Sequence, residues 1–182
     1  MLNSDKVTLK AVEESDLESL RNWRNNPSLR KYFREHKEIT KTDQQNWYKK
    51  ILSDKNQYNF SIFAEDKLIG HCGLYYIDWI NRTAEFGIYV GDYKYRNGGY
   101  GSDALRTLIK YGFNDLNLNK IWCEVYKNNE ALDVYKHIGF KYEGTLRDNY
   151  YNEGQYWDSD ILSMLKKEYE KKYRRCLPSS AS

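Results

Sequence analysis

Tyr89-Val90-Gly91-Asp92-Tyr93-Lys94-Tyr95-Arg96-Asn97-Gly98-Gly99-Tyr100-Gly101-Ser102-Asp103-Ala104-Leu105 reads as the end of a strand, a basic glycine-rich loop and the start of a helix. Upstream, Ala84-Glu85-Phe86-Gly87-Ile88-Tyr89-Val90 alternates as strands do. Downstream, Ala104, Leu105, Leu108, Ile109 and Gly112 recur at helical spacing. The glycines therefore fall on a helix N-terminus. There the first backbone N–H groups lack intrahelical partners, the macrodipole is positive and glycine lets a ligand approach the chain, which makes a seat for phosphate. Lys94 and Arg96 add charge.

Three phosphate-loop patterns compete for this stretch. A Walker loop is excluded, because no Gly-Lys-Ser/Thr follows the glycines. Gly99-Tyr100-Gly101-Ser102-Asp103-Ala104 formally fits the dinucleotide fingerprint, with Glu124 downstream on an expected strand. Its context is wrong, since the polar segment Gly91 to Asn97 intervenes and the preceding strands look like hairpins. Third, Arg96-x-x-Gly99-x-Gly101 resembles the R/Q-x-x-G-x-G/A pyrophosphate loop of the GNAT superfamily of acetyl-CoA-dependent N-acetyltransferases. A second stretch, Trp122 to Phe140, resembles the later motif of that superfamily, N-x-x-A-x-x-x-Y-x-x-x-G-F. It matches at Asn128, Ala131, Tyr135, Gly139 and Phe140. The two motifs stand in the right order, and the resemblance runs to about Leu165.

Composition sets bounds. The 182 residues suit one domain with a sizeable core. With 29 basic against 26 acidic residues, the charge of +3 gives little reason to expect a nucleic-acid partner. Eighteen Tyr and five Trp are many for so polar a chain and suggest packing around a groove as well as in a core. No apolar run is long enough to span a bilayer and the amino terminus lacks a signal-like apolar region, so a soluble protein with no membrane partner is expected. Cys72 and Cys123 fall in expected strands, Cys176 lies in a polar tail and none has zinc spacing. No metal is expected, and a reducing cytoplasm is the economical location.

Along the chain, Val7 to Val12 alternates like a first strand, and Ser15-Asp16-Leu17-Glu18 predicts a capping box for a helix limited by Pro27. Thr42-Asp43-Gln44-Gln45 predicts a second box, for a helix carrying Trp47, Tyr48 and Ile51. Strands follow at Asn59 to Ala64, Leu68 to Ile77 and Thr83 to Val90, with a turn at Glu65-Asp66-Lys67. After the glycine-loop helix come a strand from Lys120 to Val125, a helix from Glu130 to Ile138 and strands at Phe140 to Leu146 and Asp158 to Leu165. Hairpins flanking one βα unit give an α+β mixed sheet, largely antiparallel, with helices on its faces. We expect one domain over residues 1–167, then a basic frayed tail over 168–182.

The GNAT resemblance implies a splayed sheet holding acetyl-CoA as cosubstrate. The phosphate loop would be Arg96, Asn97, Gly98, Gly99, Tyr100, Gly101 and Ser102. Backbone of Ile88, Tyr89 and Val90 would hold the pantetheine amides and supply the oxyanion donor, and Asn128 would bond the pantetheine arm. Tyr135 would serve the leaving sulfur as general acid. The two N-terminal helices would lie over the acceptor, which makes Arg24, Tyr32, Phe33 and Trp47 candidate substrate contacts. Trp23-Arg24-Asn25 resembles the opening of the ribosomal-protein N-terminal and amino-sugar-nucleotide branches. The expected acceptor is thus a primary amine on an amino-sugar nucleotide or a protein N-terminus, with a polyamine as the alternative. A homodimer is compatible with this.

An alkylammonium with pKa ~10 must lose a proton before it attacks a thioester, and a strand carboxylate beside the splay can take it. Glu85 is the candidate. A solvent-face Glu paired with Arg82 or Lys explains the same residue without chemistry. Similarly, Leu132, Tyr135 and Ile138 share a helical face, Trp23 suits core packing, and the aromatics from Arg147 to Trp157 suit either a hairpin tip or an acceptor border. His36 suits a solvated loop. A non-catalytic acyl-CoA-binding module would need the phosphate loop but neither Glu85 nor Tyr135.

Overall fold

The computed structural model describes residues 1–173. In chain order it comprises β1 Leu2–Asn3, β2 Thr8–Ala11, α1 Leu17–Asn25, α2 Pro27–Arg30, α3 Lys41–Ser53, β3 Tyr58–Ala64, β4 Lys67–Asp78, β5 Thr83–Val90, α4 Tyr100–Lys110, β6 Lys120–Tyr126, α5 Ala131–Ile138, β7 Lys141–Asn152, β8 Gln155–Leu165 and α6 Lys166–Tyr173. All eight strands form one sheet, ordered β1-β2-β3-β4-β5-β6-β8-β7. Among the described residues, only β5 and β6 run parallel. The expected mixed, largely antiparallel sheet is therefore present, and a doubly wound dinucleotide fold, which needs repeated parallel βαβ units, is excluded.

Local chemistry explains the hairpins. Glu65 and Asp66 both take positive φ (51° and 61°), as do Glu153 and Gly154 (51° and 82°), the handedness that matches tight two-residue turns to twisted strands. Alternation along β5 then divides the packing. Ala84 and Phe86 join the main core with Leu105 and Leu108 of α4, Ile138 of α5 and Tyr169 of α6. Tyr89 faces the other way and packs with Val12, Leu17, Leu20, Trp23 and Trp47 under α1 and α3. Helices thus cover both faces. Cys72 and Cys123 are buried and unpaired, and burial pushes both thiols up.

Several expected boundaries move. Asp16, not Glu18, closes the first turn. Its carboxylate accepts from Glu13 N–H (3.0 Å) and from Ser61 Oγ of β3 (2.6 Å), so the cap doubles as a tie to the sheet. Thr40, not Thr42, caps α3, through reciprocal bonds with Asp43. Both β7 and β8 run further than expected toward their turn, across a register shift between Leu146 and Tyr150. The frayed tail expected from residue 168 is also corrected: residues 166–173 form α6, whose Tyr169 is buried. Residues 174–182, Cys176 included, lie outside the described residues.

The parallel pairing of β5 and β6 is short. It links Thr83, Ala84 and Glu85 to Lys120, Ile121 and Trp122 and stops there. Past that point β5 stays with β4 and β6 with β8, so the sheet opens into a V. Gly91 N–H donates to Ile69 O (2.8 Å), continuing the β4–β5 ladder. By the alternation of an antiparallel ladder, Tyr89, Gly87 and Glu85 bond to β4, while Ile88 and Val90 turn their backbone groups into the V.

Candidate active site

A cleft of ≈ 1180 Å³ occupies the V. One wall is the start of α4. Gly99 takes φ +82°, a left-handed conformation that favours glycine, and turns the chain sharply into the helix. Asp103 N–H bonds to Gly99 O (3.0 Å), but the N–H groups of Tyr100, Gly101 and Ser102 precede the first intrahelical bond, and no side chain caps them. A Cβ at Gly101 would touch only Val90 Cγ2, at 3.4 Å, so this backbone faces open space. Arg96 does not reach into that space. Its Nε donates to Val90 O (3.0 Å) and Nη2 to Gly91 O (3.1 Å), which fixes the loop against the end of β5.

The opposite wall of the V carries α5. Ala131, Val134 and Tyr135 line the cleft at i, i+3 and i+4 spacing. The Tyr135 ring meets Phe86 edge-on, with centroids 5.1 Å apart. Burial, reinforced by the Cys123 thiol, pushes this phenol above its ordinary range, so it keeps its proton at neutral pH. Just ahead of α5, Asn128 Oδ1 is buried without a hydrogen-bond partner. A buried acceptor left unpaired is costly; Asn128 itself does not line the cleft, whereas Asn129 and Glu130 beside it do.

Two carboxylates mark the apex. Glu85 of β5 and Glu124 of β6 share one guanidinium: Arg34 Nη2 lies 2.6 Å from Glu85 Oε1 and 2.7 Å from Glu124 Oε2, and Nη1 lies 3.1 Å from Glu85 Oε2. Asn149 Nδ2 also donates to Glu124 Oε1 (2.6 Å). Burial works against the charge on Arg34, but the hydrogen bonds and fields of Glu85 and then Glu124 outweigh it and raise the guanidinium pKa. The expected partners of Glu85, Arg82 or a lysine, are replaced by this longer-range contact. Moreover, Glu85 is buried rather than on a solvent face.

Aromatic rings line the α1–α3 side. Phe33 meets Tyr89 edge-on at 5.2 Å, the Arg24 guanidinium lies over the Phe33 ring at 5.3 Å, and Trp47 meets His71 edge-on at 5.7 Å. Tyr75 lies flat on the sheet, where the absence of a Cβ at Gly73 and Gly87 makes room: an added carbon would stand 2.7 Å from its hydroxyl oxygen at Gly73 and 2.9 Å from its ring at Gly87. His71 is buried, its Nε2 has no partner among the described residues, and burial and then Arg24 push its pKa down to about 3. The folded state therefore holds the neutral imidazole. From the ordinary value of 6.5 down to about 3, the unfolded chain binds a proton that the fold refuses. Stability contributed above pH 6.5 is thus lost as pH falls, at up to ~1.4 kcal/mol per pH unit. Urea titrations across that range are expected to show a shallower acid limb in His71→Gln.

Residues 6–141 match the model of the acetyltransferase (GNAT) domain. This chain belongs to the GNAT acetyltransferase family. The acetyltransferase is similar, among others, to the spermidine N-acetyltransferase of Vibrio cholerae, whose crystal structure in complex with CoA and spermine superimposes with TM-score 0.86. That match has 28% identity and covers 91% of this chain and 99% of the other. It is 28% identical to the spermidine N(1)-acetyltransferase of Escherichia coli (strain K12) across 93% of this chain and 91% of that one. YdaF of Bacillus subtilis (strain 168), named as a candidate ribosomal N-acetyltransferase, is 29% identical across 92% and 95%. The protein is an acetyl-CoA-dependent N-acetyltransferase.

Most of the residues singled out in the acetyltransferase sequence converge on this one cleft. Glu85, Ile88, Tyr89, Val90, Arg96, Asn97, Gly99, Gly101, Ser102 and Tyr135 line it, as do Arg24, Tyr32, Phe33 and Trp47. Others stand apart. Gly98 turns its carbonyl to Lys6 Nζ (2.9 Å), and the Tyr100 ring packs on Tyr95. The side chain of Tyr89 faces α1 and α3 rather than the phosphate loop. Trp23 packs on Gly91, where a Cβ would come within 2.0 Å of its indole. Asn25 pins the loop after α2 through paired bonds with Ile39 (2.8 and 2.9 Å). Of the Trp-Arg-Asn triplet, Arg24 alone reaches the cleft.

Arg34, His71, Tyr75 and Asn149 went unnoticed in the sequence. An ion pair across fifty residues leaves no local pattern, whereas Gly70-His71-Cys72-Gly73 did carry a signal, a polar ring between glycines in an otherwise apolar strand. The aromatics after Arg147 divide between roles. Tyr150 is buried, stacks on Tyr126 at 3.8 Å and donates to Lys31 O (2.8 Å), bracing the segment after α2, while Tyr151 and Tyr156 pair across the exposed hairpin tip. His36, expected in solvent, is exposed and stacks on Tyr150 at 5.5 Å.

Proposed function

We propose that this enzyme acetylates a primary amine of a polyamine, which replaces the amino-sugar nucleotide or protein N-terminus that the Trp-Arg-Asn triplet suggested. The observation that carries the proposal is the pair of nearly buried carboxylates, Glu85 and Glu124, converging on one cation at the apex of the cleft. A site that holds a guanidinium in this way suits an ammonium. Next to it, Phe33, Trp47, Tyr75 and Tyr89 offer aromatic faces to a methylene chain and its further charges. Relatives over nine-tenths of the chain are spermidine acetyltransferases, which supports the same acceptor class.

The residue roles follow from placement. Acetyl-CoA supplies the acyl group as a thioester. The free N–H groups of Tyr100, Gly101 and Ser102 hold the pyrophosphate at the positive end of α4, with Arg96 keeping the loop in shape. Ile88 offers its backbone N–H and carbonyl along the V and Val90 its N–H, the Val90 carbonyl being held by Arg96, and Asn128 Oδ1 accepts from an amide of the pantetheine arm. Glu85 takes the proton of the acceptor ammonium, directly or through water. Tyr135 donates its phenolic proton to the departing sulfur. Gly101→Val places a branched side chain in the phosphate seat at a position of ordinary helical φ. The Kd for acetyl-CoA, read by calorimetry, is expected to rise about tenfold or more, equivalent to ~1.4 kcal/mol, with the fold retained.

A relative from Vibrio cholerae has a dodecameric structure, so a homo-oligomer larger than the expected dimer is also proposed for this chain. The acceptor class is tested by comparing kcat/KM for spermidine, an N-terminal ribosomal peptide and an amino-sugar nucleotide under saturating acetyl-CoA. Spermidine is expected to exceed the others by at least an order of magnitude. A preference for either of the others would overturn the polyamine assignment.

A further inference from the structure

We propose that Arg34 is an internal competitor for the acceptor site, its guanidinium standing between Glu85 and Glu124 where the acceptor's ammonium binds during turnover. The proposal rests on the polyamine assignment for the identity of that ammonium. It accounts for an otherwise awkward feature of the apex: both oxygens of Glu85 are engaged by Arg34, at 2.6 and 3.1 Å, so the group placed to receive the amine's proton is already occupied.

The partners differ in freedom. The carboxylates stand on adjacent strands with side chains 9% and 11% exposed, whereas the Arg34 side chain is 50% exposed. Arg34 sits on the irregular segment between α2 and α3, which is tied at one end by Tyr150 Oη to Lys31 O (2.8 Å) and at the other by the Asn25–Ile39 pair. The guanidinium is therefore the member with a path to solvent. If it simply left, two nearly buried like charges would lose their compensation, so exchange for another cation is the route with the smallest cost.

Chemistry distinguishes the two occupants. An arginine keeps its protons at any working pH, so Arg34 can fill the site but never react there. A primary ammonium in the same place can surrender a proton to Glu85 and become a nucleophile. Displacement also sets selectivity. A competitor reduces apparent affinity by the fraction of sites it fills, and a polycation, which engages Glu124 or the aromatic wall with its second charge, recovers more of that loss than a monoamine.

The experiment measures cation binding, without acetyl-CoA, to the full chain and to Arg34→Ala. Calorimetric titrations use n-butylammonium as a monocation and spermidine as a polycation. Arg34→Ala is expected to bind n-butylammonium roughly tenfold more tightly than the parent, within the ~5–150-fold span of ordinary coupling between sites, with a smaller gain for spermidine and an unchanged Kd for CoA. Equal or weaker binding of both cations by the variant would overturn the proposal. If Arg34→Ala does not fold, Arg34→Lys serves, since it keeps a cation but loses the planar fork. It is expected to gain affinity in the same order, and no gain again rejects the competitor role. Spermidine turnover by the parent with no gain in either variant rejects the role of Arg34 alone. A gain in n-butylammonium binding in an enzyme that does not acetylate spermidine rejects the polyamine assignment alone.

Discussion

Tyr135→Phe is expected to lower kcat by about a hundredfold, the bottom of the range for general-acid assistance, because a CoA thiol leaves readily and water can substitute in part. The substitution removes one oxygen and leaves the ring against Phe86 and Phe140, so the melting temperature and the Kd for acetyl-CoA stay near the parent values. This separates chemistry from packing. Burial keeps the phenol protonated well past its ordinary range, so the parent's activity does not fall on the alkaline side through Tyr135 until the pH passes that range. Stopped-flow measurement of thiol release under single-turnover conditions reads the chemical step itself. An unchanged single-turnover rate would assign Tyr135 to the core.

Glu85→Gln removes the proton acceptor while keeping the shape of the side chain. At neutral pH, kcat/KM for spermidine is expected to fall by about a hundredfold, and to recover toward the parent as the pH rises to the amine pKa of ~10, where free amine is abundant without help. Glu124 remains, so Arg34 keeps one partner and the fold survives. A pH–rate profile of the variant decides the point. Parent-like kcat/KM with no change in pH dependence would reduce Glu85 to a structural anchor for Arg34.

Much of this enzyme was legible in its sequence because the relevant signals are local. The strand, glycine loop and helix from Ala84 to Ile109 are each fixed by their own periodicity, and β5 begins and ends where the alternation does. The Asn128 to Phe140 motif placed Tyr135 against Phe86 because α5 must pack its apolar stripe on the sheet. Capping residues were off by a few positions where the side chain had a tertiary task, as when Asp16 reaches Ser61. The apex was not legible. Arg34, Glu85 and Glu124 meet only once three separate elements are folded, and the charge-rich stretch from Arg30 to Lys41 gives no sign of which residue turns inward. The acceptor class stayed open in the sequence between an amino-sugar nucleotide or protein N-terminus and a polyamine, because Trp23 and Asn25, on which the first reading rested, serve packing and loop anchoring.

We propose that acetyl transfer from acetyl-CoA to a polyamine nitrogen occurs in this cleft. The most direct test follows one reaction of the purified protein with acetyl-CoA and spermidine, quantifying free CoA thiol and N-acetylated spermidine together by mass spectrometry. One molecule of acetylspermidine is expected for each thiol released, with both formed about a hundredfold more slowly by Tyr135→Phe under the same conditions. Thiol release without acetylspermidine, or no release with spermidine while another amine is acetylated, would contradict it.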